Sequence, residues 1–412
     1  MSRRSLRLAA VLLVAGSACT TEAATTTSTA PEPAATTAPP PTDVSDLPGR
    51  LVVLDGGGDI VTLDPDGSNP TPITDDAGGG TVYRQPTFSP MANQLAWAEI
   101  SGAGFGLGTS DGDGDDRARV PMSSPPFFTF WSPDGSGIGV LHNSTQGATI
   151  DFEMVDVAAG TSQVLASGVP FFFSWSPDGS QVAVHVELVI FATLDRAGET
   201  EDLGATANGY QAPHWVPDGI IHLADAGLEL RTIGGESRVL ATVPGPVSFV
   251  ANPQGTRVAV QSFVESEAPG IDAAVSPIPA LPANRVMVLD MESGEVAEAA
   301  AGVSIGLFWS PDGEKLLALR LGGEGTGELT TVVWADGDST ELSSIAPHPL
   351  FTQEVLQFFD QYGQSLQLWS PDSTAFALPG AIDDETGIWV HILGGGDPVN
   401  VTDGSWVSWS NG

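Results

Sequence analysis

The sequence contains few basic residues. Lys and Arg together number 14 against 51 Asp and Glu, which gives the 412-residue chain a formal net charge of -37. Proteins bind DNA and RNA largely through Lys and Arg that displace counterions from the phosphates. This chain has a single lysine, Lys315, and no basic cluster after its first seven residues. The composition therefore excludes nucleic acid as a partner.

Cysteine is almost absent, since Cys19 is the only one in the chain. A single cysteine excludes an intrachain disulfide and a metal site built from cysteines. Three arginines precede a short apolar run at residues 8–16, which is followed by the small residues Ser17 and Ala18. This order is typical of an export signal, and the run is too short to span a membrane. We therefore predict that residues 1–18 form a signal peptide.

Small residues that lead directly into Cys19 resemble the lipobox of bacterial lipoproteins. The resemblance implies that Cys19 is acylated and becomes the mature N-terminus. An ordinary secretory signal with an incidental cysteine is the alternative. Of residues 20–42, 20 of 23 are Thr, Ala or Pro, a composition that stays extended. We therefore expect residues 19–48 to be a tether that holds a folded domain outside the cytoplasm, in the cell envelope, with the lipid as its one membrane contact.

The sequence also lacks long segments that could form helices. The chain is 41% hydrophobic, but 49 Gly and 32 Pro interrupt it at short intervals. This pattern predicts an all-β protein. The sequence Trp-Ser-Pro-Asp-Gly occurs at residues 131–135, 175–179 and 309–313, and residues 369–373 differ only at Ser373. Weaker copies begin at residues 88, 215, 252 and 409. The mean spacing is about 46 residues, within the period of β-propeller blades.

Each part of the repeated motif has a physical role. The aromatic ring ends one strand, Pro and Asp favour a tight turn, and Gly supplies the positive φ that the turn requires. Apolar stretches on both sides predict four strands per repeat, which is one propeller blade. The motif resembles the repeats of TolB-like β-propellers, and the resemblance covers residues 49–412.

The two ends of this domain complement each other. Residues 51–55, 59–64 and 71–74 predict the second, third and fourth strands of a blade that lacks its innermost strand. Residues 405–410 have the form of an innermost strand, so we expect the C-terminal strand to complete this blade and close the ring. The motif copies then predict eight four-stranded antiparallel blades, with seven as the alternative.

Several residue patterns resemble catalytic or metal sites but have simpler interpretations. The recurring motif aspartates are explained by turn capping, and residues 302–306 match a Gly-x-Ser-x-Gly elbow but continue into a strand rather than a helix. Residues 111–116 begin like a calcium loop, yet Asp116 and Met122 stand where such a loop needs Gly and Glu. The six histidines show no ligand spacing. We expect no catalytic residue, metal or cofactor.

The tyrosines lie in one position of the repeat. In an up-and-down blade, the motif turns mark one face of the propeller, which we call the motif face. Innermost strands begin on the opposite face, which we call the tyrosine face. The inserted stretches 265–284 and 347–364 also fall there, and the second predicts a short amphipathic helix at residues 350–359. Aromatics and helix either line a ligand site or plug the channel. The ligand-binding candidates are Tyr83, Arg84, Phe127, Phe171, Tyr210, Gln211, Tyr362 and Gln364.

These features favour a non-enzymatic module that binds an envelope protein, peptide or glycan as a monomer. The alternative is a hydrolase or lyase with its site in the central channel, which a histidine and several carboxylates lining the channel, or a tightly bound metal, would favour.

Overall fold

The computed structural model describes residues 41–91, 93–187, 190–204, 211–243, 246–263, 281–323 and 327–411. The predicted signal peptide, Cys19 and most of the predicted tether lie outside these residues. One compact unit spans Pro40–Gly412. Leu47, at the end of the predicted tether, is buried in its core.

The fold is all-β, as predicted, and its strands form antiparallel sheets in which chain neighbours pair. The first sheet contains β1 (Leu51–Leu54), β2 (Ile60–Leu63), β3 (Thr71–Pro72) and the C-terminal strand β31 (Trp406–Trp409). The second contains β4 (Val82–Phe88), β5 (Gln94–Ser101), β6 (Gly104–Asp111) and β7 (Ala118–Met122). The third contains β8 (Pro126–Trp131), β9 (Gly137–Asn143), β10 (Ile150–Asp156) and β11 (Thr161–Gly168).

Three further four-stranded sheets follow along the chain. The fourth contains β12 (Phe171–Trp175), β13 (Gln181–Val186), β14 (Ile190–Asp195) and β15 (Thr200–Gly204). The fifth contains β16 (His214–Val216), β17 (Gly219–Ala224), β18 (Gly227–Thr232) and β19 (Ser237–Ala241). The sixth contains β20 (Val247–Ala251), β21 (Arg257–Ser262), β22 (Arg285–Asp290) and β23 (Val296–Ala301).

The last sheet has seven strands. It joins β24 (Ser304–Trp309), β25 (Lys315–Leu321), β26 (Leu329–Ala335) and β27 (Asp338–Pro347) to β28 (Ala375–Ile382), β29 (Glu385–Ile392) and β30 (Val399–Thr402). Residues 366–369 approach β28 through one bridge, Trp369 to Phe376. The predicted number of eight blades, with seven as the alternative, therefore stays a prediction.

Helix is confined to short segments in the part of the chain that is described. These are 3-10 turns at Val44–Asp46 and Leu356–Phe358 and the helices α1 (Pro349–Glu354) and α2 (Phe359–Ser365). The amphipathic pattern at residues 350–359 thus predicts helix correctly, but the helix is interrupted after α1 and continues further along the chain. No described helix combines the length and the apolar character that crossing a membrane requires.

The C-terminal strand completes the first sheet, as the sequence predicts. β31 pairs antiparallel with β1, so that Leu51 stands opposite Trp409 and Leu54 opposite Trp406. Both tryptophans are buried, and their indole N–H groups donate to the carbonyls of Pro86 and Pro48, each at 3.0 Å. The two ends of the folded unit therefore share one sheet.

The motif turns have the predicted geometry. In the turn at residues 175–179, the Gly179 N–H donates to the Ser176 carbonyl at 2.8 Å, and Gly179 has a φ of 70°. Asp178 accepts from the Ser176 hydroxyl and from the Ser180 N–H. In the copy that lacks glycine, Ser373 adopts the same left-handed conformation, with a φ of 60°. The turn is therefore set by the whole motif, and its glycine relieves strain without being indispensable.

Motif tryptophans tie neighbouring sheets together. The indole of Trp175 donates to the Phe130 carbonyl at 3.1 Å, that of Trp309 to Val250 at 2.8 Å, and that of Trp369 to Phe308 at 3.0 Å. The first two bonds cross from one sheet to the innermost strand of the preceding one, and the third joins the segment before β28 to β24. The innermost strands of successive sheets also contact one another, as β12 does with β16, and β16 with β20. They consequently surround a central channel.

Candidate functional site

The segment that contains α1 and α2 enters the central channel. α2 contacts the innermost strands β8, β12, β20 and β24. Its sequence is apolar at Phe359 and Tyr362, both buried, and polar at Gln361 and Gln364. The innermost strands have backbone N–H and C=O groups on the channel side that no neighbouring strand pairs with. The polar side chains of α2 can bond to these groups, which explains why a helix with both polar and apolar residues lies at the centre of the fold.

The innermost strands β12 and β16 hold α2 through hydrogen bonds. Gln361 makes a reciprocal pair with the Phe173 backbone, donating to its carbonyl at 2.6 Å and accepting from its N–H at 3.1 Å. Gln364 accepts from the Ser174 hydroxyl at 2.6 Å and donates to the Pro213 carbonyl at 3.2 Å. On β16, the His214 Nε2–H donates to the Asp360 carbonyl at 3.2 Å, while its Nδ1 accepts from the Ala251 N–H.

Two ionisable groups near α2 have shifted pKa values. Burial raises the pKa of Asp360 to about 6, although the Ala212 N–H donates to its carboxylate at 3.3 Å. Burial lowers the pKa of His214 to about 3, so its imidazole is neutral. Shifts of this kind are frequent at functional sites. Here, however, the two side chains bond to backbone groups and not to each other, so they do not form an acid–base pair.

Tyr362 connects α2 to β4. The Gln85 amide donates to the Tyr362 hydroxyl at 2.6 Å, to the Phe127 carbonyl at 2.7 Å and to the Glu354 carboxylate at 3.3 Å. Gln85 has a φ of 53° at an irregularity in the pairing of β4 with β5, and this bulge directs its side chain toward the channel. Glu354, in α1, also forms an ion pair with Arg84. Burial raises the pKa of Tyr362 well above its usual value, so the phenol stays protonated.

A cavity of about 530 Å³ opens beside this group of residues on the tyrosine face. We call it the phenylalanine pocket. The polar residues Arg84, Gln85, Gln353, Glu354 and Gln361 line it together with a larger apolar set. The apolar set includes Pro126, Phe127, Phe171, Phe172, Phe358 and Tyr362. Phe127 and Phe358 keep 40% and 50% of their surface exposed, so the pocket has an apolar rim as well as an apolar interior.

The structure brings four of the predicted ligand residues together. Arg84, Phe127, Phe171 and Tyr362 all line the phenylalanine pocket, while Tyr210 lies outside the described residues. The salt bridge from Arg84 to Glu354 is the intramolecular pairing that an arginine in so acidic a chain favours.

The other predicted ligand residues serve internal contacts. Tyr83 is buried and donates to Asp76, and the Gln211 amide donates to the Val247 carbonyl. Gln364 bonds to β12 and to Pro213, and it lines a different cavity of about 440 Å³ at the motif face. These three side chains therefore do not converge with Arg84.

Sequence reasoning did not select Glu354, Phe172 or Phe358. The first and last belong to the inserted segment at residues 347–364, and only its folding back into the channel places them beside β4 and β8. Phe172 could have been found from its place at the start of an innermost strand, next to the predicted Phe171.

The tyrosine face carries about half of the large apolar side chains that are exposed in the described part of the chain. Among the described residues, six large ones lie where innermost strands begin, where second strands end, or in the inserted helical segment. They are Val82, Phe127, Val169, Phe263, Leu321 and Phe358. Part of the other insertion, residues 264–280, lies outside the described residues.

The remaining sequence patterns have structural explanations. Asp111 ends β6, and its carboxylate accepts from the N–H groups of Asp113 and Asp115, so residues 111–116 form the turn before β7. Ser304 begins β24, with no helix following it. The described residues contain no group of three or more His, Cys, Asp or Glu placed to hold a metal ion.

His142 and Glu153 form a buried pair outside the pocket. The imidazole Nε2 lies 2.8 Å from the carboxylate, which also accepts from Ser162. This hydrogen bond raises the pKa of His142. Burial alone would raise the pKa of Glu153, but the hydrogen bonds from His142 and Ser162 outweigh burial and lower it. The pair links β9 to β10 and lies within the sheet.

Comparison with known proteins identifies the fold. No family model matches the chain, and no curated protein matches it. Dihydro-heme d1 dehydrogenase NirN in complex with DHE has a TM-score of 0.54 and 14% identity, over 92% of this chain and 77% of that one. Oligogalacturonate lyase from Vibrio parahaemolyticus has a TM-score of 0.51 and 13% identity, over 84% of this chain and 98% of that one.

TolB from Acinetobacter baumannii is also among the similar structures, with a TM-score of 0.40 and 15% identity, over 67% of this chain and 73% of that one. At such identities a structural likeness identifies the fold alone. The chain has a β-propeller fold, built from several four-stranded antiparallel sheets.

Proposed function

We propose that this protein is a non-enzymatic binding module of the cell envelope, anchored by a lipid on Cys19, that binds a protein partner through the phenylalanine pocket. The proposal depends mainly on one observation. Two phenylalanines, Phe127 and Phe358, remain exposed at the rim of a cavity whose interior is also apolar. Exposed apolar surface around a concave site is typical of interaction surfaces.

The chemistry of the pocket favours a protein or peptide over a glycan. Sugars carry many hydroxyl groups that need hydrogen-bond partners, whereas most of the residues that line the pocket are apolar. Apolar side chains of a protein gain free energy from burial alone. The additional exposed apolar residues on the tyrosine face would lie at the edge of the same contact.

Replacing Phe127 by Asp is expected to weaken binding of the partner at least about tenfold, because it removes apolar contact and places a charge at the pocket rim. The measurement compares proteins captured from an envelope extract by the wild type and by the variant, followed by titration of the captured partner. Met91→Asp is the matched control, since Met91 is 70% exposed on the motif face. If the Phe127→Asp and Met91→Asp variants bound the partner with equal affinity, the proposed site would be wrong.

The lipid anchor gives a separate prediction. Cys19→Ser is expected to remove the protein from the membrane fraction, because the chain then lacks the thiol that carries the acyl groups. Cell fractionation and the mass of the mature N-terminus provide the measurement, with Thr20→Ser as the neighbouring control. Unchanged membrane association together with an unmodified N-terminus in the wild type would show that the protein is not lipid-anchored.

A further inference from the structure

We infer that the phenylalanine pocket receives the carboxy-terminal residue of the partner chain, with its apolar side chain among the phenylalanines and its α-carboxylate on Arg84. This inference rests on the proposed function, and it specifies which part of the partner is recognised. It follows from the pocket's apolar walls, from the position of Arg84 and from the charge of the whole chain.

The size and lining of the pocket suit one or two residues of a peptide. A volume of about 530 Å³ lies within the usual range of small-ligand sites, which is about 300 to 1,000 Å³. Phe127, Phe171, Phe172 and Phe358 come from two innermost strands and from the inserted segment, so they enclose the space from different sides. Aromatic walls in this arrangement favour an aromatic or large aliphatic side chain.

Among the described residues, Arg84 is the one cation that lines this cavity. Its Nη1 bonds to Glu354, and its other N–H groups make no hydrogen bond within the described part of the chain. The side chain remains 39% exposed. A guanidinium presents five donors in a fixed plane, so one edge can be held by Glu354 while another binds a second carboxylate.

The residues around Arg84 hold it in place before a ligand arrives. Glu354 is fixed in turn by the Gln85 amide, and Gln85 bonds to Tyr362 and to the Phe127 carbonyl. A guanidinium that is already oriented loses less conformational freedom on binding than a free side chain does. The group of polar residues therefore acts as a support for one anion-binding edge.

Charge restricts which anion can bind. A chain with a net charge of -37 repels anions over most of its surface, and Glu354 offsets part of the charge of Arg84, so an anionic ligand needs the apolar walls as well as Arg84. In a carboxy-terminal residue, the apolar side chain and the carboxylate share one Cα and reach both parts of the pocket together. An internal Asp or Glu lacks an apolar group of its own. The terminal residue of a chain therefore fits the pocket better than an acidic side chain does.

The test measures binding of two probes to the full-length chain by calorimetry. N-acetyl-Ala-Ala-Phe carries a free carboxylate, whereas its carboxamide has the same shape without the charge. We expect the acid to bind at least about tenfold more tightly than the amide, since a charge-assisted hydrogen bond supplies this difference. Equal affinities would overturn the inference, and because both probes bind the same wild-type protein, this outcome does not depend on a variant that folds poorly.

Variants then assign the effect to Arg84. Arg84→Gln should abolish the preference for the acid, and Arg84→Lys should retain part of it. Arg285→Gln is the matched control, because Arg285 is similarly exposed and forms an ion pair with Glu298. Both residues belong to the sixth sheet, away from the pocket. Loss of the preference in this control as well would count against Arg84. Decanoate is the third probe, and binding as tight as that of the peptide acid would identify a fatty acid as the ligand and overturn the peptide terminus.

The outcomes separate this inference from the proposed function. If the acid and the amide bind equally while Phe127→Asp still loses the partner, the pocket is a binding site but does not recognise a carboxylate. If the acid is preferred while Phe127→Asp retains the partner, the pocket recognises a carboxylate but the partner binds elsewhere.

Discussion

Deletion of residues 405–412 is expected to leave a protein without a cooperative fold. The deletion removes β31, which is the innermost strand of the first sheet and pairs with β1 along its whole length. Trp406 and Trp409 are each 1% exposed, and loss of a buried tryptophan costs about 3 to 5 kcal/mol. Together they approach the total stability of a typical domain, about 5 to 15 kcal/mol. The deletion also leaves β1 with an unpaired edge that promotes aggregation.

Thermal unfolding followed by circular dichroism, together with size-exclusion chromatography, provides the measurement. Deletion of residues 411–412 is the control, because it shortens the chain and leaves β31 intact. The expected result is a normal melting transition for the control and no transition, or soluble aggregates, for the longer deletion. A monomeric product of the longer deletion that melts at the wild-type temperature would show that the C-terminal strand does not close the fold.

Gln361→Ala is expected to destabilise the protein by about 2 to 5 kcal/mol, the cost of leaving two buried backbone groups without partners. Gln361 is 3% exposed, and its amide satisfies both the N–H and the carbonyl of Phe173. Phe173 lies at the centre of an aromatic group with Phe128 and Phe152. Loss of the reciprocal pair therefore loosens α2 in the channel and weakens the support of the phenylalanine pocket.

Urea denaturation measures this effect as a lower midpoint with an unchanged slope. Gln357→Ala is the matched control, because Gln357 belongs to the same inserted segment but is exposed, and such changes usually stay within about 0.5 kcal/mol. If both variants denatured at the same urea concentration, α2 would not depend on its hydrogen bonds to β12.

The repeated motif allows much of this architecture to be predicted. Trp175, Pro177 and Gly179 act within a few residues of one another, since Trp175 ends a strand and the other two form the turn that leads into the next strand. Such local chemistry repeats at each copy, and it predicts the sheets and their spacing. The missing innermost strand near Leu51 and the surplus strand at Trp406 likewise identify each other, because both follow from counting strands.

The sequence also determines which end of the repeat carries the candidate site. Arg84, Phe127 and Phe171 stand at the start of innermost strands, and a circular arrangement of those strands brings their first residues together. Position in the repeat is therefore sufficient to place these residues on one face. It is insufficient to distinguish Arg84, which lines the pocket, from Tyr83, whose side chain turns to Asp76.

Only the tertiary structure decided how the inserted segment completes the pocket. The sequence predicts helix near residues 350–359, but it does not show that α2 enters the channel or that Glu354 meets Arg84 across 270 residues of chain. These contacts depend on which bare backbone groups and polar side chains the innermost strands present to the channel, such as Phe173 for Gln361 and Gln85 for Tyr362. Periodic patterns encode local turns and strands, whereas a segment that occurs once finds its place only through the surface that the other strands create.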